Sequence, residues 1–198
     1  MYKIITIGRE FGSGGRTIGK KLAEKLGYKF YDSSLVAKVA ESSGYHRDFI
    51  ENHSESASCR NTILFSFSRN GSLTTGHQSV YDEIYIAQQK VILDIAKEGN
   101  AVIVGRCADY ILRNEESVLN VFIYSTLEAR AKRIIEEYGE RNDKSIEKRL
   151  KDSDQKRKTY YKTYTGSEWG KSQNYDILLN SAILGIDRCV DIIYELVK

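Results

Sequence analysis

The chain has 198 residues, 41% of them apolar and 29% charged, with a formal net charge of +3. That length fits one domain, the composition suits a globular protein, and so small a charge excess argues against a nucleic-acid partner. No run approaches the roughly 18 apolar residues of a membrane span. Cys59, Cys107 and Cys189 are far apart and match neither a zinc site nor a disulfide framework, and His46, His53 and His77 form no metal motif. The chain enters a strand pattern at once, without a leader, so the expected compartment is the cytoplasm.

Taken in chain order, residues 1–8 read as a buried strand ending at a glycine. The glycine cluster "GSGGRT" follows, and a helix is expected over Thr17 to Leu26. Ile18, Leu22 and Leu26 share one face there, and Gly27 ends it. "YKFYD", Tyr28 to Asp32, reads as a short strand. Ser33 or Ser34 would cap the next helix, with Leu35, Val36, Val39 and Ala40 as its apolar stripe. Residues 54–79 are polar, lack a sustained period and read as an excursion over a substrate. A helix is expected over about 81–97, with Ile84, Ala87, Val91 and Ile95 inward.

"AVIVG", 101–105, and "VLNVFIY", 118–124, are continuous apolar runs suited to parallel strands buried on both faces. Ser125 with Glu128 forms a capping-box pattern for a helix through about Tyr138. Charged helical sequence continues to about Lys162, with a break at Gly139. "YDILLNS", 175–181, is the last strand, and Ile186, Cys189 or Val190, Ile193 and Val197 face inward from a terminal helix. Alternating strands and helices predict an α/β fold: a five-stranded parallel sheet with helices on both faces.

The glycine loop is where an anion would sit, because glycines let backbone N–H groups approach it and a helix N-terminus follows. Two phosphate readings compete. In a dinucleotide reading, Gly12 and Gly14 begin a G-x-G fingerprint, and Asp32 stands 18 residues after Gly14 as a ribose-binding acid. An NAD(P)-binding oxidoreductase is the alternative that follows from it. In a mononucleotide reading, Gly12, Ser13, Gly14 and Thr17 match a loop ending G-x-G-K-x-T, and Thr17 offers a hydroxyl to Mg²⁺ or phosphate. Gly15 then stands where lysine is expected, Arg16 follows it, and Arg9 takes the place of the opening glycine. Between Glu128 and Lys162 there are 12 Lys/Arg against 8 Asp/Glu, a local basic excess suited to phosphates.

The segments "GREFGSGGRTIGKKLAEKLGYKFYD", "AVIVGRCADYIL", "LNVFIYSTLEARAKRI", "DSDQKRKTYYKTYTG" and "YDILLNS" occur in an order that resembles the cytidylate kinase family, in its divergent cytidylate kinase-like branch. The resemblance covers nearly the whole chain. It implies a single domain with a three-layer P-loop NTPase fold, an acceptor-side insertion at about 45–80 and a helical lid at about 139–165. It implies an ATP-dependent nucleoside monophosphate kinase, acting on CMP or dCMP with Mg²⁺. Small-molecule nucleotides would be its partners, and the oligomeric state stays open.

Mg²⁺-ATP would lie on Gly12, Ser13, Gly14, Gly15, Arg16 and Thr17, with Arg16 replacing the absent lysine. Arg106 would grip the acceptor monophosphate and Asp32 would lie near the acceptor. Asp154 and Arg157, three apart on one helix face, would form the lid signature, with Arg130 and Arg133 as alternatives to Arg157. Tyr160, Tyr161 and Tyr164 read as packing residues beside it. Typical members carry acids on both sides of the Gly-Arg pair; here these are Val104 and Cys107, with Asp109 out of register. A nucleotide-binding protein of the same fold without turnover is the second alternative.

Overall fold

The structure is a computed structural model and describes residues 2–32, 80–139 and 145–198, together with 35, 38, 39, 41, 42 and 44. The expected caps Ser33 and Ser34, the stripe residues Val36 and Ala40, and the excursion at 54–79 lie outside the described residues, as do all three histidines.

Five strands form one sheet: β1 (Ile4–Arg9), β2 (Lys29–Tyr31), β3 (Ala101–Val104), β4 (Val118–Tyr124) and β5 (Ile177–Asn180). Their order across the sheet is β2-β3-β1-β4-β5, and every neighbouring pair is parallel. In register, Ile4 pairs with Ala101 on one side and Val118 on the other. The apolar runs are continuous because both faces are covered. Ile4, Ala101 and Ile103 pack with Ile84, Ile92 and Ile95 of α2 (Val80–Glu98) and with Leu35 and Val39. Ile5, Ile7, Val102 and Val104 face the opposite way, against Ile18 and Leu22 of α1 (Gly15–Leu26) and Cys189, Val190, Ile193 and Val197 of α6 (Ser181–Val197).

Three further helices complete the chain: the short α3 (Ala108–Ile111), α4 (Leu127–Tyr138) and α5 (Ile146–Thr165). Two boundaries differ from expectation. First, α1 begins at Gly15 rather than Thr17, because Gly14, at φ 80°, turns the chain directly into the helix. Second, the cap of α4 is Thr126, whose hydroxyl accepts from Ala129 N. Ser125 belongs to the preceding turn instead, where its N–H donates to Glu10 Oε2 at 3.0 Å.

α5 is one continuous helix, and Leu150, Asp154, Tyr160, Tyr161 and Thr165 are buried along it. Its last turns pack Tyr164 face to face on Tyr85 of α2, with ring centroids 4.0 Å apart. Because all strands run the same way, their carboxyl ends lie at one edge. Parallel α/β sheets bind ligands outside that edge. The β1–α1 loop, the turn after β3 and the N-terminus of α4 all meet there.

Candidate active site

The backbone of the β1–α1 loop is held from behind. Arg9 O accepts from Arg157 Nη1 at 3.1 Å, and Glu10 O accepts from both Ser13 N and Ser13 Oγ. Phe11 O accepts from Arg130 Nε at 2.7 Å, Gly12 O from Arg133 Nη1, and Ser13 O from Ser181 Oγ at 2.6 Å. Gly14 O takes the first intrahelical bond, from Ile18 N. Every carbonyl from residue 9 to residue 14 is therefore engaged. Negative ends of these dipoles are committed to protein donors, which is the condition for a backbone nest that receives an anion.

The start of α1 suits the same ligand. A helix leaves its first N–H groups without intrahelical acceptors. At α4, α5 and α6 a side chain answers this: Thr126, Ser145 and Asn180 accept from the first turn. At α1 the cap is Gly14, no side chain caps the turn, and no acidic residue lies within it. Gly12 and Gly14 have φ near 80°, and a Cβ on Gly12 would lie 2.9 Å from Arg130 O. A Cβ on Gly14 would run into Ile186 Cδ1. Both positions favour glycine by backbone conformation, and Gly12 also by the backbone it packs against.

Asp154 is the keystone behind the loop. Its Oδ1 accepts from Phe11 N at 2.8 Å, and its Oδ2 pairs with Arg130 Nη2. Arg130, 4% exposed, also reaches Glu10 Oε2 at 3.4 Å. Arg157 lies one turn further along α5, 3.9 Å from Asp154 Oδ1 and over the Phe11 ring. Asp154 and Arg157 thus share a face, and that face meets the loop. Arg16 lies apart: its Nε pairs with Asp32 Oδ2, and its side chain is 60% exposed.

The acceptor side is the turn after β3. Gly105, Arg106 and Cys107 all have positive φ, at 79°, 63° and 54°. Left-handed conformation costs a non-glycine residue about 1–2 kcal/mol, so two successive cases need external support. Gly105 N donates to Ile7 O, and Gln88 Nε2 donates to Arg106 O at 3.0 Å. Gln88 is itself buried and held by Tyr160 Oη. The turn aims Arg106 into a cleft lined by Arg9, Asp109, Arg157, Tyr161, Trp169 and Tyr175, among others. Arg106 Nη1 is buried there, with no hydrogen-bond partner among the described residues.

Asp109 lies in the same cleft and accepts from Tyr161 Oη at 2.8 Å. Burial pushes its carboxyl above the ordinary 3.8, while hydrogen bonds from Tyr161, Tyr175 and the backbone hold it back. Burial likewise raises the Tyr161 and Tyr160 hydroxyls, which stay protonated donors. Among the described residues no group of three or more His, Cys, Asp or Glu side chains converges as a metal site.

Strand order bears on the dinucleotide alternative. In a dinucleotide fold the second strand neighbours the first, so that its terminal acid reaches the ribose. Here β3 lies between β1 and β2, and Asp32 is engaged by Arg16. The profile of the cytidylate kinase-like family matches residues 4–183. The chain belongs to that family. It is 27% identical to a cytidylate kinase of Methanococcus vannielii across 98% of this chain and 99% of that protein. It is 26% identical to a cytidylate kinase of Ignicoccus hospitalis across 96% of each.

An uncharacterized protein from Eubacterium ventriosum has a similar structure, with a TM-score of 0.72, 28% identity, and coverage of 98% of this chain and 97% of that one. A shikimate kinase from Bacteroides thetaiotaomicron shares the fold at 16% identity and a TM-score of 0.55, with coverage of 98% and 97%. The architecture of this cytidylate kinase-like chain is that of the P-loop kinases. Among the described residues no helix is long and apolar enough to cross a membrane.

Several site residues escaped the reading of the sequence. Ser181 ended a strand with no feature to single it out, and its bond to Ser13 O joins residues 168 positions apart. Gln88 lay on the face of a helix read only for its apolar stripe. Asp109 was visible, but its tie to Tyr161 was not.

Proposed function

We propose that the protein is an ATP-dependent nucleoside monophosphate kinase whose acceptor is CMP or dCMP. The observation that carries this reading is Arg106. On a left-handed turn it holds a buried guanidinium nitrogen with no partner among the described residues, beside a loop whose carbonyls are all committed to protein donors. A second phosphate beside the loop is what such an arginine would complete. The likeness to relatives named cytidylate kinase supports the choice of base.

The residues divide the work. Gly12, Gly14, Gly15, Arg16 and Thr17 present backbone N–H groups and the start of α1 to the ATP phosphates, while Ser13 shapes the loop through its N–H and hydroxyl on Glu10 O. The Arg16 side chain is held aside by Asp32, next to the acceptor region. Arg106 takes the acceptor phosphate, and Arg157, steered by Asp154, adds charge between the two. Mg²⁺ entering with ATP would be held by the phosphates and Thr17, and would supply charge neutralisation and alignment.

An acceptor phosphate oxygen forms a new bond to the γ-phosphorus. The bond from that phosphorus to the β–γ bridging oxygen breaks, and its electron pair leaves with ADP. The acceptor is largely ionised at neutral pH, so no catalytic base is required. Positioning and charge neutralisation carry the rate, as is general for phosphoryl transfer. A coupled ADP-release assay with MgATP and a panel of CMP, dCMP, UMP, AMP and GMP tests this. Turnover with CMP or dCMP above the others is expected. Absence of turnover with every monophosphate, while ATP still binds, would overturn it.

A further inference from the structure

A phosphate loop opens with glycine and carries a lysine after its last glycine, with four residues between the two glycines. Counting back from Gly14 puts Arg9 at the opening position and Gly15 at the lysine position. In sequence these look like two separate losses. In space they are one exchange. A Cβ on Gly15 would lie 2.5 Å from Arg9 Cβ and 3.0 Å from Arg9 Cγ. The stem of Arg9 occupies the volume from which a lysine at position 15 would have set out.

The far end of Arg9 has a defined place too. A Cβ on Gly105 would collide with Arg9 Nη1 and lie 2.9 Å from Cζ. The guanidinium therefore lies against Gly105, after crossing Gly15 on its way from the end of β1. It spans from the start of α1 to the turn that carries Arg106, and lines the cleft together with Arg106 and Arg157. The stem of Arg9 keeps Gly15 small, and its guanidinium rests on Gly105, whose φ of 79° favours glycine in any case. Arg16, the other candidate for the missing cation, extends from the helix surface to Asp32.

We propose that Arg9 is the polyphosphate-binding cation of this loop, and that Gly15 is glycine in order to let it pass. Its ligand is the β/γ-phosphate portion of a nucleoside triphosphate, so the inference rests on the kinase reading for the identity of its donor. An arginine suits the route, since its planar, always-charged fork can lie flat on a glycine while donating to two oxygens. The exchange also places a cation between donor and acceptor phosphates, where charge is greatest during transfer.

Calorimetric titration of MgATP, AMP and inorganic tripolyphosphate, without any acceptor, tests the idea. Wild-type protein should bind MgATP and tripolyphosphate, with MgATP tighter than AMP. Arg9→Met should reduce that preference by about 10–100-fold, the range expected for a charge-assisted hydrogen bond. Restoring the ordinary arrangement in Arg9→Gly/Gly15→Lys should recover at least tenfold over Arg9→Gly alone. Should Arg9→Met or Arg9→Gly fail to fold, judged by circular dichroism, the double variant carries the test through its own preference for MgATP over AMP.

An unchanged preference in Arg9→Met overturns the proposal. So does a double variant without preference, a collapse in Arg16→Met with Arg9→Met intact, or a wild type that binds no polyphosphate. A wild type that binds triphosphate through Arg9 but transfers to no monophosphate would sink the kinase reading and leave this one standing.

Discussion

The loop before α1 and the turn after β3 lie at the same sheet edge, but they are held in opposite ways. In the loop, glycines at 12 and 14 take the left-handed positions, and side chains from α4, α5 and α6 secure the carbonyls. After β3, only the first of three left-handed residues is glycine, and Arg106 and Cys107 are held by Gln88 and by the short α3. The loop has its carbonyls satisfied by protein and offers N–H dipoles outward where it enters α1. The turn uses strain to aim one side chain and leaves one of its donors with no partner among the described residues. Support and ligand contact are thus separable, and substitutions should separate them.

The largest effect should come from the support. Asp154→Ala removes the acceptor of Phe11 N and leaves the buried Arg130 guanidinium with its bond to Phe11 O and, as its remaining carboxylate, Glu10 at 3.4 Å. Removing one partner of a buried ion pair costs about 3–5 kcal/mol. Urea unfolding should show a loss in this range, and ATP binding should weaken because Phe11 N loses its acceptor and Arg130, which holds Phe11 O, loses the carboxylate that orients it. A loss under 1 kcal/mol would mean that the loop holds its shape without α5.

Next comes the ligand contact. Arg106→Met keeps the stem and removes the charge. The acceptor-dependent kcat/KM should fall by about 10²–10³-fold, as for loss of one preorganised donor. Stability should hold or rise slightly, because a buried nitrogen with no partner among the described residues is removed. Equal loss of ATP affinity and acceptor efficiency would break the division between the two regions.

Much of this frame could be read from the sequence, for a physical reason. Strands buried on both faces need continuous apolar runs, so 101–104 and 118–124 announced themselves, and β4 has the expected limits. Arg106 was visible as a cation directly after such a strand. Caps were less legible: Ser125 and Thr126 are both good cap residues, and only the path of Glu10 decides between them. The supports of the loop were least legible, since Arg130, Asp154 and Ser181 reach it from 119, 143 and 168 positions away. The loop spacing placed Gly15 at the lysine position and Arg9 at the opening glycine. That the stem of Arg9 fills the space above Gly15 is a fact of three dimensions.

The smallest effect concerns Asp109, whose carboxyl shares the cleft with Arg106, Cys107, Tyr161 and Tyr175. Burial raises it above the ordinary 3.8, so the folded protein holds this proton to a higher pH than the unfolded chain does. Stability rises with pH only where the unfolded state binds more protons, and here the folded state does. The contribution of Asp109 is therefore fully present below 3.8 and is lost as pH rises through its folded value. Hydrogen bonds from Tyr161, Tyr175 and the backbone oppose the shift. Asp109→Asn keeps an oxygen for Tyr161 and cannot ionise. The variant should gain on the wild type as pH rises from 4 to 7, in urea unfolding at constant ionic strength. Parallel stability curves across that interval would show that the Asp109 carboxylate is as comfortable in the cleft as in water, and that the acceptor side is wetter than its lining suggests.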